Sequence, residues 1–176
     1  MKRRSGTYTL VSLATLVATD VTMMFTAYWL AYHLRFELDF LPVQEIHGWR
    51  RYVEYVVLQM ALLPPIMVVQ GLYRVRRTLS KADELNGVFT AVSIDAVLVL
   101  AIMVFVSRDF IYSRGVLVFG WLFATILIAI GRYLHFGLWA SLRGAGFGAE
   151  RALIVGTNET ARLVFERIVQ SPQLGY

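Results

Sequence analysis

The chain contains no cysteine. Disulfides and thiolate-metal sites are thereby excluded, and the redox compartment cannot be read from a residue that is missing. Histidine is scarce. His33, His47 and His135 lie far apart and lack the close spacing of a local metal motif, so no metal site is expected. No Ser-His-Asp set, zinc spacing or P-loop occurs in the sequence. Charged residues are only 16% of the chain, and the net charge of +5 is carried by residues that flank apolar runs rather than by one soluble face. That distribution points to loops facing anionic lipid and away from nucleic acid.

Long hydrophobic runs dominate instead. The hydrophobic content of 57% and mean hydropathy of +0.59 exceed the globular norm. The apolar residues cluster rather than recurring at strand or helix period, so the fold class expected is an all-α polytopic membrane protein with a four-helix transmembrane bundle. Spans of roughly 20 residues, the length that crosses about 30 Å of hydrocarbon, are expected at about 8–34, 52–73, 87–106 and 114–137, within a membrane domain of about 1–143. The basic start Met1-Lys-Arg-Arg4 could open a signal peptide, but the first run is too long for one and contains Asp20, and no small-residue cleavage site follows it. Ala14, Ala18 and Thr22 form a small-residue seam on that span, where another helix can pack closely. The second span carries Pro64-Pro65, which predicts either a kinked full span or a re-entrant helix.

Arg74, Arg76, Arg77 and Lys81 form a basic juxtamembrane segment expected to contact anionic lipid. Ser80, followed by Asp83 and Glu84, makes an acceptable helix start. The lysine and arginine bias places the amino-terminal tail and this second loop in the cytoplasm, and four spans return the carboxy-terminal end there too. Asp20, Asp95 and Arg132 are ionisable residues inside the spans. A carboxylate at the bilayer centre costs about 2.5–3.5 kcal/mol on insertion scales. An inward-facing polar network is therefore expected, with Asp20 and Asp95 at comparable depth and Arg132 the leading partner for Asp95. Paired carboxylates also allow a small proton or cation transporter.

Beyond Arg132 the solvent changes. Residues 144–150 are a glycine-rich joint, and Arg151-Ala-Leu-Ile-Val-Gly156 reads as a short buried strand. Glu159 to Val169 has helical apolar spacing. Residues 151–176 are thus expected to be the first β-α unit of a truncated Rossmann-like domain. Gly156, Asn158 and Ala161 align with the dinucleotide fingerprint, but Asn158 replaces the glycine that lets the backbone approach a pyrophosphate.

Together Asp20, Ala31-Tyr-His-Leu-Arg35-Phe36, Gly71-Leu-Tyr73-Arg74, Ser80 to Leu85, Ser113-Arg114, Trp121, Arg132 and Arg151-Ala-Leu-Ile-Val-Gly156-Thr resemble the amino-terminal half of the large bacterial polyprenyl-phosphate hexose-1-phosphate transferases. The resemblance covers essentially the whole chain, and the ordered set carries it rather than any single motif. It implies four spans in the bacterial inner membrane with both ends cytoplasmic, a Rossmann-like, CoA-binding-like domain, and a catalytic domain beyond Tyr176. That catalytic domain would transfer sugar 1-phosphate from a nucleotide sugar to undecaprenyl phosphate, beginning exopolysaccharide, capsule or O-antigen synthesis. The magnesium site would belong there, leaving no cofactor and no catalytic residue in this stretch. The partners implied are the lipid bilayer, polyprenyl phosphate, the nucleotide sugar and a further copy of the chain. Two other readings share the architecture: a membrane-bound NAD(P)-dependent nucleotide-sugar dehydratase or epimerase, and a non-catalytic membrane and oligomerisation module.

Overall fold

The computed structural model describes residues 3–37, 48–73, 81–106 and 113–144, together with the helical residues Glu159, Arg162, Leu163 and Phe165. The segments first described form four helices: α1 (Arg3–Glu37), α2 (Trp49–Val69), α3 (Lys81–Val106) and α4 (Arg114–Gly144). All four are long and apolar enough to cross a membrane, with spans Leu10–Phe36, Tyr52–Val69, Ala82–Val106 and Arg114–Leu142, as a multi-pass membrane protein requires. Gly144, the first residue of the expected joint at 144–150, instead ends α4, while the rest of that joint, the expected strand at 151–156, and Gly156, Asn158 and Ala161 lie outside the described residues, as do Arg74, Arg76 and Arg77. Lys81 opens α3.

The helices extend past three of the four apolar runs because polar flanks can complete a helical turn in the headgroup region. Asp83 and Glu84 occupy the first turn of α3, where carboxylates complement the exposed N–H groups. α2 behaves differently and stops at Val69, four residues before Tyr73. Gly71 adopts a left-handed φ of 73° there. Its N–H donates to the Val68 carbonyl at 3.0 Å, and the Leu72 N–H donates to the Met67 carbonyl at 2.9 Å. This is the paired-bond glycine cap that satisfies the last carbonyls of a helix, and glycine takes the left-handed conformation without the Cβ penalty. Pro64 and Pro65 sit inside α2, which continues through them as one helix across its span.

The chain divides into two compact units, Val17–Arg132 and a second made of Met1–Leu16 with Tyr133–Tyr176. In the first, the interior residues recur every three or four positions: Asp20, Met24, Ala27, Tyr28 and Ala31 on α1, and Val88, Ala91, Val92, Asp95, Val99 and Met103 on α3. The faces turned outward are apolar as well, with Phe25, Val57, Val97, Leu98 and Phe105 exposed. Hydrocarbon as solvent explains this pattern: outward apolar side chains meet lipid, while Asp20, Gln59, Asp95 and Arg132 are buried inside.

Close approach between α1 and α4 depends on small residues. A Cβ added at Gly120 would lie 2.2 Å from Tyr28 Cε1, and one at Gly131 would lie 3.0 Å from both Met23 Cγ and Thr19 Cγ2. The seam marked from sequence, Ala14, Ala18 and Thr22, is instead exposed. At the opposite end of α1, Tyr32 packs edge-on against Trp49 and Tyr52 of α2, with ring centroids 5.3 and 5.4 Å apart. In the second unit, Thr15 Oγ1 and His135 Nε2 share a hydrogen bond of 3.0 Å.

Candidate functional site

Arg132 is the largest of the fully buried side chains, at 2% exposure. A guanidinium cannot shed its charge, so burial obliges the fold to surround it with acceptors. Asp20 provides two of them: Arg132 Nε donates to Oδ1 at 3.0 Å, and Nη2 donates to Oδ2 at 2.8 Å. This fork-to-fork geometry pairs α1 with α4 and neutralises both charges within the bundle. Nη1 donates to the Leu72 carbonyl at 3.3 Å, and Nη2 also meets Met67 Sδ at 3.1 Å. Glu84 Oε1 stands 3.7 Å from Nη1, bringing the start of α3 to the same group.

Tyr73 completes the cluster by donating its hydroxyl proton to Asp20 Oδ2 at 2.8 Å. Its ring also lies beneath the guanidinium, with Arg132 Cζ 5.2 Å from the centroid. Burial first, and then the Asp20 carboxylate, push the Tyr73 phenol well above its ordinary range, with Arg132 opposing. The phenol is therefore a committed donor. The glycine cap at Gly71 accounts for this local arrangement, since it turns the chain at the point from which the Leu72 carbonyl and the Tyr73 ring reach the pair.

Of the polar residues marked from sequence, the structure brings Asp20 and Arg132 together and leaves Asp95 apart. Arg132 serves Asp20, not Asp95. Asp95 is fully buried, and neither of its carboxylate oxygens has a hydrogen-bond partner among the described residues. It also lies at another depth from the ion pair. Glu84 marks the level of Arg132 on α3, and Asp95 is about 16 Å farther along that helix at 1.5 Å per residue. Tyr73, Leu72, Met67 and Glu84 are the participants that polar spacing within the spans did not reveal. The signal available was Gly71 at the end of an apolar run, the mark of a helix cap that aims the following residues back at the bundle.

Chemically, the cluster is a lock rather than a reaction centre. The guanidinium is occupied on all its nitrogens, and both Asp20 oxygens are accepting. Among the described residues no group of three or more His, Cys, Asp or Glu side chains could hold a metal ion. No protein-family profile, curated protein or solved structure matches this chain.

Proposed function

We propose that this chain is the membrane-anchoring amino-terminal part of an enzyme that transfers sugar 1-phosphate from a nucleotide sugar to undecaprenyl phosphate, initiating exopolysaccharide, capsule or O-antigen synthesis. In this reading residues 151–176 begin a Rossmann-like cytoplasmic domain, both ends face the cytoplasm of a bacterium, and catalysis with its magnesium site resides beyond Tyr176. One observation supports it above the others. Asp20, Leu72 and Tyr73 of the Gly71-Leu-Tyr73 turn, Glu84 from the Ser80 to Leu85 segment, and Arg132 belong to the ordered set that carries the resemblance, and they gather around the buried Asp20–Arg132 pair. A set assembled by chance composition has no reason to converge in this way.

The physical logic is one of position. The lipid acceptor is confined to the membrane and the nucleotide sugar to the cytosol, so an enzyme joining them must be held at the interface. The lock fixes the turn after α2 at Tyr73, immediately before the basic residues Arg74, Arg76 and Arg77 in the sequence. Each such charge near anionic headgroups contributes on the order of 1 kcal/mol to membrane association.

Reading the coding sequence after Tyr176 is the direct test. A completed Rossmann-like domain followed by a membrane-associated domain with an acidic pair supports the transferase, whereas a Tyr-x-x-x-Lys dehydrogenase-type site would establish the dehydratase instead. The purified chain, given nucleotide sugar, magnesium and undecaprenyl phosphate, is expected to make no lipid-linked sugar phosphate. Turnover by these residues alone would refute the proposed division of labour.

A further inference from the structure

α2 turns one face into the bundle, at Tyr52, Val56 and Leu63, and another away from it. Arg50, Glu54, Val57, Ala61, Pro65 and Val68 are exposed, and they recur every three or four positions as a single stripe along the helix. The outward faces of α3 and α4 are built otherwise, with Val97 and Leu98 on one and Leu122 and Ile126 on the other turned to hydrocarbon. The α2 stripe is flatter, through Ala61 and Pro65, and it opens on a cation and an anion one turn apart.

Glu54 stands two residues inside the span that starts at Tyr52, exposed at the edge of the hydrocarbon. A carboxylate there is better held by a cation than left facing lipid. Arg50 precedes it by four residues, but cation before anion is the weaker order within one helix, because it puts the cation nearer the positive end of the dipole. Side chains on a helix also lean toward its amino terminus, so Glu54 reaches back toward the level of Arg50. In a closed dimer of two copies with the same orientation, the two-fold axis runs along the membrane normal and sets the two α2 helices parallel. Arg50 of each copy then meets Glu54 of the other, in two equivalent contacts. The stripe is complementary to itself, which selects a second copy as its occupant. A zwitterionic headgroup could answer the two charges, but its fluid acyl chains gain little from the close approach that Ala61 permits.

We propose that the outward face of α2 is a contact between two copies of this chain, with Arg50 of one copy paired to Glu54 of the other and Val57, Ala61 and Val68 packed against their counterparts. The charges fix the partner and the register more than the strength of the contact. Packing of the flat stripe supplies the rest. The contact uses none of the side chains of the Asp20–Arg132 lock, and it stands independently of the transferase reading.

The chain has no cysteine, so a single introduced cysteine reports one position. The test is oxidative cross-linking of the whole chain in phosphatidylcholine liposomes at a low protein-to-lipid ratio. Ala61→Cys is expected to form about tenfold more disulfide-linked dimer than Val97→Cys on α3 or Ile126→Cys on α4, which report random collision. Added to Ala61→Cys, Arg50→Glu or Glu54→Arg sets like charges across the contact and should lower the yield about tenfold, whereas the exchange Arg50→Glu/Glu54→Arg should restore it. These changes lie on the exposed face and should leave thermal unfolding as in the parent, and the restored yield of the exchange excludes misfolding as the cause of the loss. Equal yields at Ala61, Val97 and Ile126 overturn the interface. Single charge variants that cross-link like their parent, or an exchange that restores nothing, overturn the pairing. A monomeric chain whose Glu54→Gln variant retains less added phosphatidylethanolamine than wild type would also overturn the proposal and assign the face to lipid.

Discussion

Asp20→Ala is the sharpest perturbation of the lock. It removes both acceptors of the bidentate pair, at 3.0 and 2.8 Å, and the acceptor of the Tyr73 hydroxyl at 2.8 Å. Two magnitudes bracket the loss. Hydrogen bonds between membrane helices average only about 0.6 kcal/mol, because a chain unfolded within lipid finds other partners, so three such bonds amount to about 2 kcal/mol. Breaking a buried ion pair by deleting one member costs about 3–5 kcal/mol, most of it from the charge left behind. Arg132 is too deeply buried at 2% exposure for the smaller figure to suffice. Glu84, at 3.7 Å, offers partial compensation, so we expect a loss of about 3 kcal/mol. Arg132→Met, which strands Asp20 instead, should lose a similar amount.

The double variant separates charge from packing. With both ions gone the bundle retains a smaller apolar defect, and Asp20→Ala/Arg132→Met should lose about 2 kcal/mol, less than either single variant. Reversible unfolding in bicelles, followed by steric trapping or by titration with a denaturing detergent, measures all three. A single variant losing less than about 1 kcal/mol, or losses that simply add, would show that the pair is not the closed unit its geometry indicates.

Gly120→Ala would set a methyl 2.2 Å from a buried tyrosine ring and is expected to lose about 1–3 kcal/mol in the same assay. Gly131→Ala meets Met23 Cγ and Thr19 Cγ2, both at 3.0 Å, so each must give by a few tenths of an ångström, and the gain of about 1 kcal/mol of helix propensity should leave the variant near neutral. Tyr73→Phe deletes a charge-assisted bond and should lose about 1.5–3 kcal/mol at neutral pH. Because the folded state raises the Tyr73 phenol, wild type holds that stabilisation below the ordinary phenol value of about 10 and loses it as the pH rises beyond it, a component that the phenylalanine variant lacks. Reporter fusions at Glu45 and Ser80 should fall on opposite sides of the membrane, and a shared compartment would contradict the expected four-span topology.

The sequence by itself was enough to find the spans. A run of apolar residues long enough for hydrocarbon is a one-dimensional signal, and neither packing nor partners are needed to read it. It also showed that Asp20, Asp95 and Arg132 lay within those runs, where an exposed charge is too costly to leave facing lipid. Helix ends were harder to place from hydropathy alone. α3 already begins at Lys81 because its first turn is polar, whereas α2 ends at Val69 because Gly71 caps it.

Tertiary structure decided who pairs with whom. By loop length Asp95 looked the closer partner for Arg132, since α3 and α4 are consecutive, yet Asp20 holds the guanidinium from 112 residues away. Depth along the helix and the close approach of α1 to α4 explain the choice. Gly120 and Gly131 bring α1 against α4, which places Asp20 beside Arg132, while Asp95 lies too far along α3 for a side chain to bridge. Spacing within a helix specifies which face a residue occupies, but the neighbour on that face depends on how closely two backbones can approach, and that depends on small residues far away in the chain.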